Sequence, residues 1–215
     1  MKIQNSPQQQ IDEIKNLMER SSRFISLSGL SGISAGLTAF FGAAIAYFFT
    51  DLNLLYTESN YYLNSLSVIK VPSPVLFLIT DGLVVLVISL GLAILFTIRR
   101  ANFQKNKIWT RTTRVLLYNL AIPLLTGGIF CALLIFYHYI FLIAPVTLIF
   151  YGLALLNASK YTLPEIQWLG ISEIILGLIA GFIPHFGLLF WTIGFGILHI
   201  IYGLVMYFRY ESGNK

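Results

Sequence analysis

Charged residues are scarce in this sequence. Asp, Glu, Lys and Arg make up 11% of the 215 residues, whereas hydrophobic residues make up 57% and the mean hydropathy is +0.78. A soluble domain has roughly a quarter charged residues and about half apolar residues. The composition therefore excludes an ordinary soluble domain and predicts a protein of the lipid bilayer. The predicted membrane spans use most of the chain, so we expect no separate soluble domain.

Cysteine and the motifs of common enzymes are also missing. Cys131 is the only cysteine, which excludes a disulfide framework, a C-x-x-C redox pair and a c-type haem attachment. The serines cluster around the first apolar run, where we expect no G-x-S-x-G setting for a hydrolase nucleophile, and no H-E-x-x-H is present. His138 and His185 could bind a metal or haem, but two histidines without acidic partners make a weak site. We therefore predict no enzyme, no metal and no cofactor.

Six long apolar runs predict an all-α integral membrane bundle of six transmembrane helices. Each run has about the 17 to 25 residues that cross ~30 Å of hydrocarbon. Lipid offers the backbone no hydrogen-bond partner, so runs of this length must be helical. The first run is longer than the hydrophobic region of a signal peptide, which has roughly 7 to 15 residues. We therefore expect that the first helix is not cleaved and remains as a membrane anchor. The predicted spans are residues 24–49, 75–98, 115–137, 140–157, 166–183 and 186–208.

The basic residues predict the orientation of the bundle. With the N-terminus inside, Lys70 is the only one of the 14 Lys and Arg residues on the outer side. Cytoplasmic connections carry an excess of Lys and Arg, so we place both termini, including a tail of residues 209–215, in the cytoplasm. The residues on the inner side are Lys2, Lys15, Arg20, Arg23, Arg99, Arg100, Lys105, Lys107, Arg111, Arg114, Lys160, Arg209 and Lys215.

Residues 1–23 have the pattern of an amphipathic helix. Ile11, Ile14, Leu17 and Met18 recur at helical spacing among charged and polar side chains. Such a helix can lie on the inner leaflet or the bundle, or it can bind a partner protein. The sequence leaves these alternatives open.

The second cytoplasmic segment, residues 99–114, carries six positive charges and no acid. Topology alone can account for it, but basic residues near a membrane also attract anionic lipid at roughly 1 kcal/mol each. A cytosolic regulatory protein is the third interpretation, and we expect no direct binding of nucleic acid. The candidate docking residues are Arg99, Arg100, Lys105, Lys107, Arg111 and Arg114.

Small residues predict where the helices pack. Ser28, Gly32 and Gly36 are spaced by four in the first span, and Gly177 and Gly181 are spaced by four in the fifth. Such faces let another helix approach closely. The contact could lie within one bundle or between two copies, so a homo-oligomer remains open.

Two polar residues are predicted to meet inside the membrane. Glu173 lies ~10 Å and His199 ~13 Å from the cytoplasmic edge, counted at 1.5 Å per residue, on helices joined by a tight turn. We therefore predict a hydrogen-bonded pair. Asp81 lies ~10 Å from the outer edge and is the third candidate proton or ion site. A charge at the centre of a bilayer costs at least ~2.5 to 3.5 kcal/mol, so such residues pair, stay protonated or mark a proton path.

The third span contains Pro123, followed by Thr126, Gly127 and Gly128. Proline removes a backbone donor, so this helix could be broken, as helices that bind ions or substrates often are. A simple kink is the alternative.

The stretch ERSSRFISLSGLSG, residues 19–32, resembles the opening of a family of uncharacterised bacterial multi-pass inner-membrane proteins. The resemblance implies a bacterial inner membrane location and a cytoplasmic docking surface, since members often accompany a small winged-helix transcriptional regulator. It transfers no functional residue.

Two functions fit the sequence. A non-enzymatic membrane sensor or accessory subunit with a basic cytoplasmic docking face is favoured narrowly, because polar residues at depth are few. The alternative is a small proton-linked carrier or channel that uses Glu173 and His199.

Overall fold

The computed structural model describes residues 8, 24, 26–50 and 74–212. Within these ranges the chain forms helices and no strand. Six helices are long and apolar enough to cross a membrane by length and composition, which confirms the predicted helical class. The predicted N-terminal amphipathic helix and most of the first outer loop fall outside the described residues.

Each of the six predicted spans corresponds to helical structure. The helices are α1 (Gly29–Phe49), α2 (Pro74–Phe103), α3 (Arg111–Phe136), α4 (Ile143–Ala158), α5 (Glu165–Phe182), α6 (Gly187–Trp191) and α7 (His199–Tyr210). A π-helical turn, Thr192–Leu198, joins α6 to α7, so that the last span, Gly187–Tyr210, is one helix with an irregular middle.

Helix ends differ from the predicted ends by several residues. Ser28 caps α1, because its side chain accepts a hydrogen bond from the backbone N–H of Leu30, and the helix begins at Gly29 rather than at residue 24. Thr110 caps α3 in the same way, which places the start at Arg111 rather than at residue 115. Hydropathy marks the part of a helix that contacts lipid, whereas polar caps decide where it begins.

Helix α3 continues through Pro123, so the broken-helix alternative is not observed. A proline cannot donate to the carbonyl group four residues earlier, which here belongs to Asn119. The side chain of Asn157 on α4 donates to that carbonyl oxygen at 3.0 Å. The backbone acceptor that proline leaves free is thus satisfied by a neighbouring helix.

Glycines bring α1 into backbone contact with the last span. A Cβ added to Gly32 would lie 2.9 Å from Cα of Gly203, and one on Gly36 would lie 2.6 Å from the carbonyl oxygen of Gly196. The predicted small-residue face of the first span therefore packs within a single bundle. Ser28 is an exception, since it precedes the helix as its cap.

A second close contact joins α4 and α5. A Cβ on Gly177 would lie 2.9 Å from the carbonyl oxygen of Pro145, whereas one on Gly181 would keep 3.9 Å from the Pro145 ring. Nearer the start of α5, a Cβ on Gly152 would lie 2.6 Å from the carbonyl oxygen of Gly170. These contacts hold the inner face of α5 against α4.

Polar contacts join different segments of the chain at one end of the bundle, which we call the basic end. Thr162 donates to the carbonyl of Phe24 at 2.8 Å, and the two ion pairs Arg100–Glu211 and Arg209–Glu165 lie there. Large apolar side chains instead cover the outside of the helices, with Phe182 89% and Val87 68% exposed. An outer surface this apolar suits contact with lipid chains.

Candidate functional site

Glu173 has no exposed surface, and it is the most deeply buried ionisable residue among those described. It lies on α5, between the close contacts at Gly170 and Gly177 that fasten this helix to α4. Neither of its carboxyl oxygens has a hydrogen-bond partner. A polar side chain in this position is unusual, because the great majority of buried polar atoms are hydrogen-bonded.

The nearest polar group is the imidazole of His199, the first residue of α7. Its Nδ1 atom lies 3.5 Å from Oε1 of Glu173 and 3.0 Å from the carbonyl oxygen of Gly194. A carbonyl oxygen only accepts, so Nδ1 carries a proton and donates it to Gly194. The structure brings the predicted pair together, but the shorter hydrogen bond goes to the backbone.

Tyr151, on α4, completes the group. Its hydroxyl lies 2.8 Å from Nε2 of His199, and with Nδ1 protonated the neutral ring accepts at Nε2, so the tyrosine donates. Both nitrogens of His199 are thus satisfied. The sequence reasoning missed Tyr151, although a depth count places it ~9 Å from the end of the predicted fourth span, within one helical turn of the level of His199.

Gly194, within the π-helical turn, leaves room for the carboxyl group of Glu173. A Cβ on Gly194 would lie 2.6 Å from Oε2 of Glu173 and would also collide with the side chain of Leu148. Any larger residue at position 194 would therefore displace Glu173. Turns of this kind are rare and frequently occur at functional sites.

Aromatic rings surround the imidazole. The ring of Phe195 stacks on His199 with centroids 5.9 Å apart, and the ring of Tyr151 lies 5.3 Å from it. Trp191 packs against Phe195. A carboxylate without a hydrogen-bond donor is strongly disfavoured in such surroundings, so the geometry fits a protonated Glu173.

Asp81 lies elsewhere in the bundle. It is on α2, where its Oδ2 atom faces Gly42 of α1, 3.5 Å from a Cβ added there. The carboxyl group of Glu173 instead approaches Gly194 of the π-helical turn and His199 of α7. The structure therefore does not bring Asp81 into the Glu173 and His199 group.

The basic segment is mostly exposed at the surface. Arg99, Lys105, Lys107, Arg111 and Arg114 are exposed, and Trp109 between them is 70% exposed. Arg100 differs, because its side chain is only 8% exposed and its guanidinium lies 2.6 Å from the carboxylate of Glu211. That carboxylate also accepts from the backbone N–H of Gly29, so Arg100 helps to fasten the first and last spans.

Residues 32–36 spell G-x-S-x-G, so the expectation that this motif is missing was wrong. Ser34 nevertheless lies inside α1, and its hydroxyl donates to the carbonyl of Ser31 at 3.0 Å, which is not the geometry of a nucleophile elbow. Among the described residues, no group of three or more His, Cys, Asp or Glu could hold a metal ion.

No protein-family model matches the chain, and comparisons with curated proteins and with solved structures find no match. The resemblance over residues 19–32 therefore stays an expectation, and the functional argument depends on the site itself.

Proposed function

We propose that this protein carries protons, alone or with a solute, across the bacterial inner membrane, with Glu173 as the proton site and His199 as its partner. The observation that supports this is the fully buried Glu173 carboxyl group, which lies beside an imidazole and has no hydrogen-bond partner. Ionisable residues at membrane depth commonly belong to proton or ion paths.

A purely structural role for Glu173 accounts less well for the geometry. An acid retained for packing would be expected to bond through both oxygens, since each unpaired buried polar group costs ~1 to 3 kcal/mol. His199 is held by Gly194 and Tyr151 without help from Glu173. The carboxyl group is thus not needed to hold the imidazole in place, and its oxygens stay available to bind and release a proton.

The proposal includes the orientation that the basic residues predict, with both termini in the cytoplasm. Glu173 then lies in the inner half of the membrane, and Asp81 lies in the outer half as a separate acid. The ion pair between Arg100 and Glu211 would lie at the cytoplasmic surface. The sequence narrowly favours the sensor, and the unpartnered carboxyl oxygens of Glu173 are the observation that favours the carrier.

Proton flux in proteoliposomes tests the proposal. The purified protein is reconstituted with a trapped pH dye, and flux is driven by an imposed membrane potential. We expect wild-type flux above that of empty liposomes and loss of this flux in Glu173→Gln, with an unchanged elution volume in size-exclusion chromatography. Glu211→Gln makes the same chemical change at the basic end and should keep the flux. No wild-type flux, or full flux in Glu173→Gln, would contradict the proposal.

The second candidate function is a non-enzymatic sensor or accessory subunit that docks a cytosolic regulatory protein or anionic lipid. The exposed basic segment, with Trp109 at its centre, is the observation that favours it. Charge reversal at Arg111 and Arg114 should then abolish recovery of the partner without altering membrane insertion. Charge reversal at Lys160, which is also exposed but lies outside this segment, is the matched control. Unchanged recovery after reversal at Arg111 and Arg114 would refute docking.

A further inference from the structure

We propose that protons reach Glu173 from the basic end through a relay of side chains, in the order Glu165, Tyr202, Tyr151, His199 and Glu173. The inference rests on the proposed function, because it names the route by which the same proton site is filled. It assigns a role to Glu165 and Tyr202, which the sequence reasoning did not select.

The deep half of the relay consists of direct contacts. The hydroxyl of Tyr151 lies 2.8 Å from Nε2 of His199, and Nδ1 of the same ring lies 3.5 Å from Oε1 of Glu173. The imidazole therefore presents one nitrogen to each neighbour. This is the geometry in which a ring can accept a proton on one side and release another on the opposite side.

The entry of the relay is Glu165, the first residue of α5. Its Oε1 atom accepts from Arg209 at 2.7 Å and from the Tyr210 hydroxyl at 2.8 Å. Its Oε2 atom is buried and has no hydrogen-bond partner. The side chain of Arg209 is 63% exposed, whereas that of Glu165 is 10% exposed. One oxygen of this carboxylate is thus fixed at the surface by a cation while the other faces the interior.

Tyr202 connects the entry at Glu165 to Tyr151 in the proposed relay. It is three residues after His199 on α7, ~4.5 Å nearer to the basic end. Tyr202 and Tyr151 both pack on a cluster that includes Ile166, the residue next to Glu165. The hydroxyl of Tyr202 is buried and has no hydrogen-bond partner.

Two unpartnered polar atoms in one small region are the observation that argues for a relay. A tyrosine used only for packing would gain nothing from a buried hydroxyl, because phenylalanine fills nearly the same space without the cost of ~1 to 3 kcal/mol for an unpaired polar group. A single water that bonds the Tyr202 hydroxyl and Oε2 of Glu165 would satisfy both, since a buried water typically needs two to four polar partners.

The proton count balances along this route. A proton from the cytoplasm binds Glu165 and passes to the oxygen of Tyr202, which releases its own proton toward Tyr151. Tyr151 in turn gives its hydroxyl proton to Nε2 of His199, and Nδ1 gives its own proton to Glu173. Glu173 accepts this proton as a carboxylate, after its previous proton has left toward the opposite side of the membrane. One proton enters, one arrives, and no charge stays on the relay. The bare Nδ1 that results faces the Gly194 carbonyl, which favours return to the starting tautomer.

Hydrogen–deuterium exchange at Glu173 tests the relay independently of transport. In proteoliposomes, the infrared carboxyl band that Glu173→Gln removes is followed after transfer to D₂O. We expect Tyr202→Phe and Glu165→Gln to slow this exchange by roughly tenfold or more, since transfer through a positioned acid or base commonly contributes ~10² to 10⁴ in rate. Proton flux is measured on the same samples and should fall in parallel.

Two matched variants serve as controls. Tyr207→Phe makes the same substitution on the same helix outside the relay, and Glu211→Gln removes a carboxylate at the basic end that the relay does not use. Both should exchange within about twofold of the wild-type rate, well inside the ~10² to 10⁴ of a lost transfer step. Exchange that is unchanged in Tyr202→Phe and Glu165→Gln would overturn the relay even if the wild type carries flux. Slowed exchange without any wild-type flux would support the relay and overturn the proposed transport.

Discussion

Glu173 and His199 face each other at 3.5 Å, but the orientation of the imidazole does not depend on the carboxyl group. Gly194 holds Nδ1 of the ring and Tyr151 holds Nε2. Removing the acid in Glu173→Gln should therefore leave the imidazole in place. A loss of flux in that variant would then report on proton chemistry at Glu173 rather than on a rearranged bundle.

We predict that Tyr151→Phe destabilises the protein by ~1 to 3 kcal/mol, because Nε2 of His199 loses its partner in a buried site. The free energy of unfolding in detergent, followed by circular dichroism, measures the effect. Tyr118→Phe is the control, since the ring of Tyr118 is 73% exposed. Equal stability of both variants would show that the contact between Tyr151 and His199 contributes nothing measurable.

We predict that Gly194→Ala destabilises the protein by ~1 to 3 kcal/mol, the usual cost of overpacking a core. The new methyl group would meet Oε2 of Glu173 at 2.6 Å. Gly128→Ala is the matched control, because nothing lies within 4 Å of a Cβ at Gly128, and alanine there should be neutral or stabilising by up to ~1 kcal/mol.

A double-mutant cycle can show how much of the penalty of Gly194→Ala comes from the collision with Glu173. In a Glu173→Ala background the carboxyl oxygen is gone, so part of the penalty of Gly194→Ala should disappear while the clash with Leu148 remains. Contacting residues commonly show coupling of ~0.5 to 3 kcal/mol. A coupling of zero would mean that Gly194 does not shape the space for the carboxyl group.

The sequence predicted the architecture well, for a physical reason. A long apolar run has few alternatives to a helix in lipid, so composition decides the class and the number of spans. Depth counting likewise brought Glu173 and His199 together, because both helices rise by a constant amount per residue. These predictions needed only length and composition.

Other features depend on three-dimensional contacts that a linear pattern does not encode. The π-helical turn that contains Gly194 and Gly196 makes the middle of the last span irregular, yet paired glycines in a membrane helix usually indicate packing. Arg100 belongs to a run of exposed basic residues, and only the position of Glu211, far along the chain, shows that it is paired and buried. The carbonyl oxygen of Asn119, which Pro123 leaves without a helical donor, likewise accepts its hydrogen bond from another helix.

We predict that Glu211→Ala costs about 3 kcal/mol of stability, near the lower end for breaking a buried ion pair. The change leaves Arg100 without its carboxylate and removes an acceptor for the N–H of Gly29. Arg209→Ala breaks the other ion pair, but its side chain is 63% exposed, so the cost should be only ~0 to 1 kcal/mol. Thermal unfolding in detergent compares the stability of the two variants. A larger loss of stability in Arg209→Ala than in Glu211→Ala would show that the exposed ion pair contributes more than the buried one.

The orientation of the bundle is tested by single cysteines in a Cys131→Ser background. Lys107 lies in the exposed segment between α2 and α3, and Tyr137, at the opposite end of α3, is 63% exposed. If the basic end is cytoplasmic, a membrane-impermeant thiol reagent added to intact cells should label Tyr137→Cys and not Lys107→Cys. Permeabilised cells should then show labelling of both. The reverse pattern in intact cells would place Glu173 in the outer half of the membrane, and the entry at Glu165 would then draw protons from outside rather than from the cytoplasm.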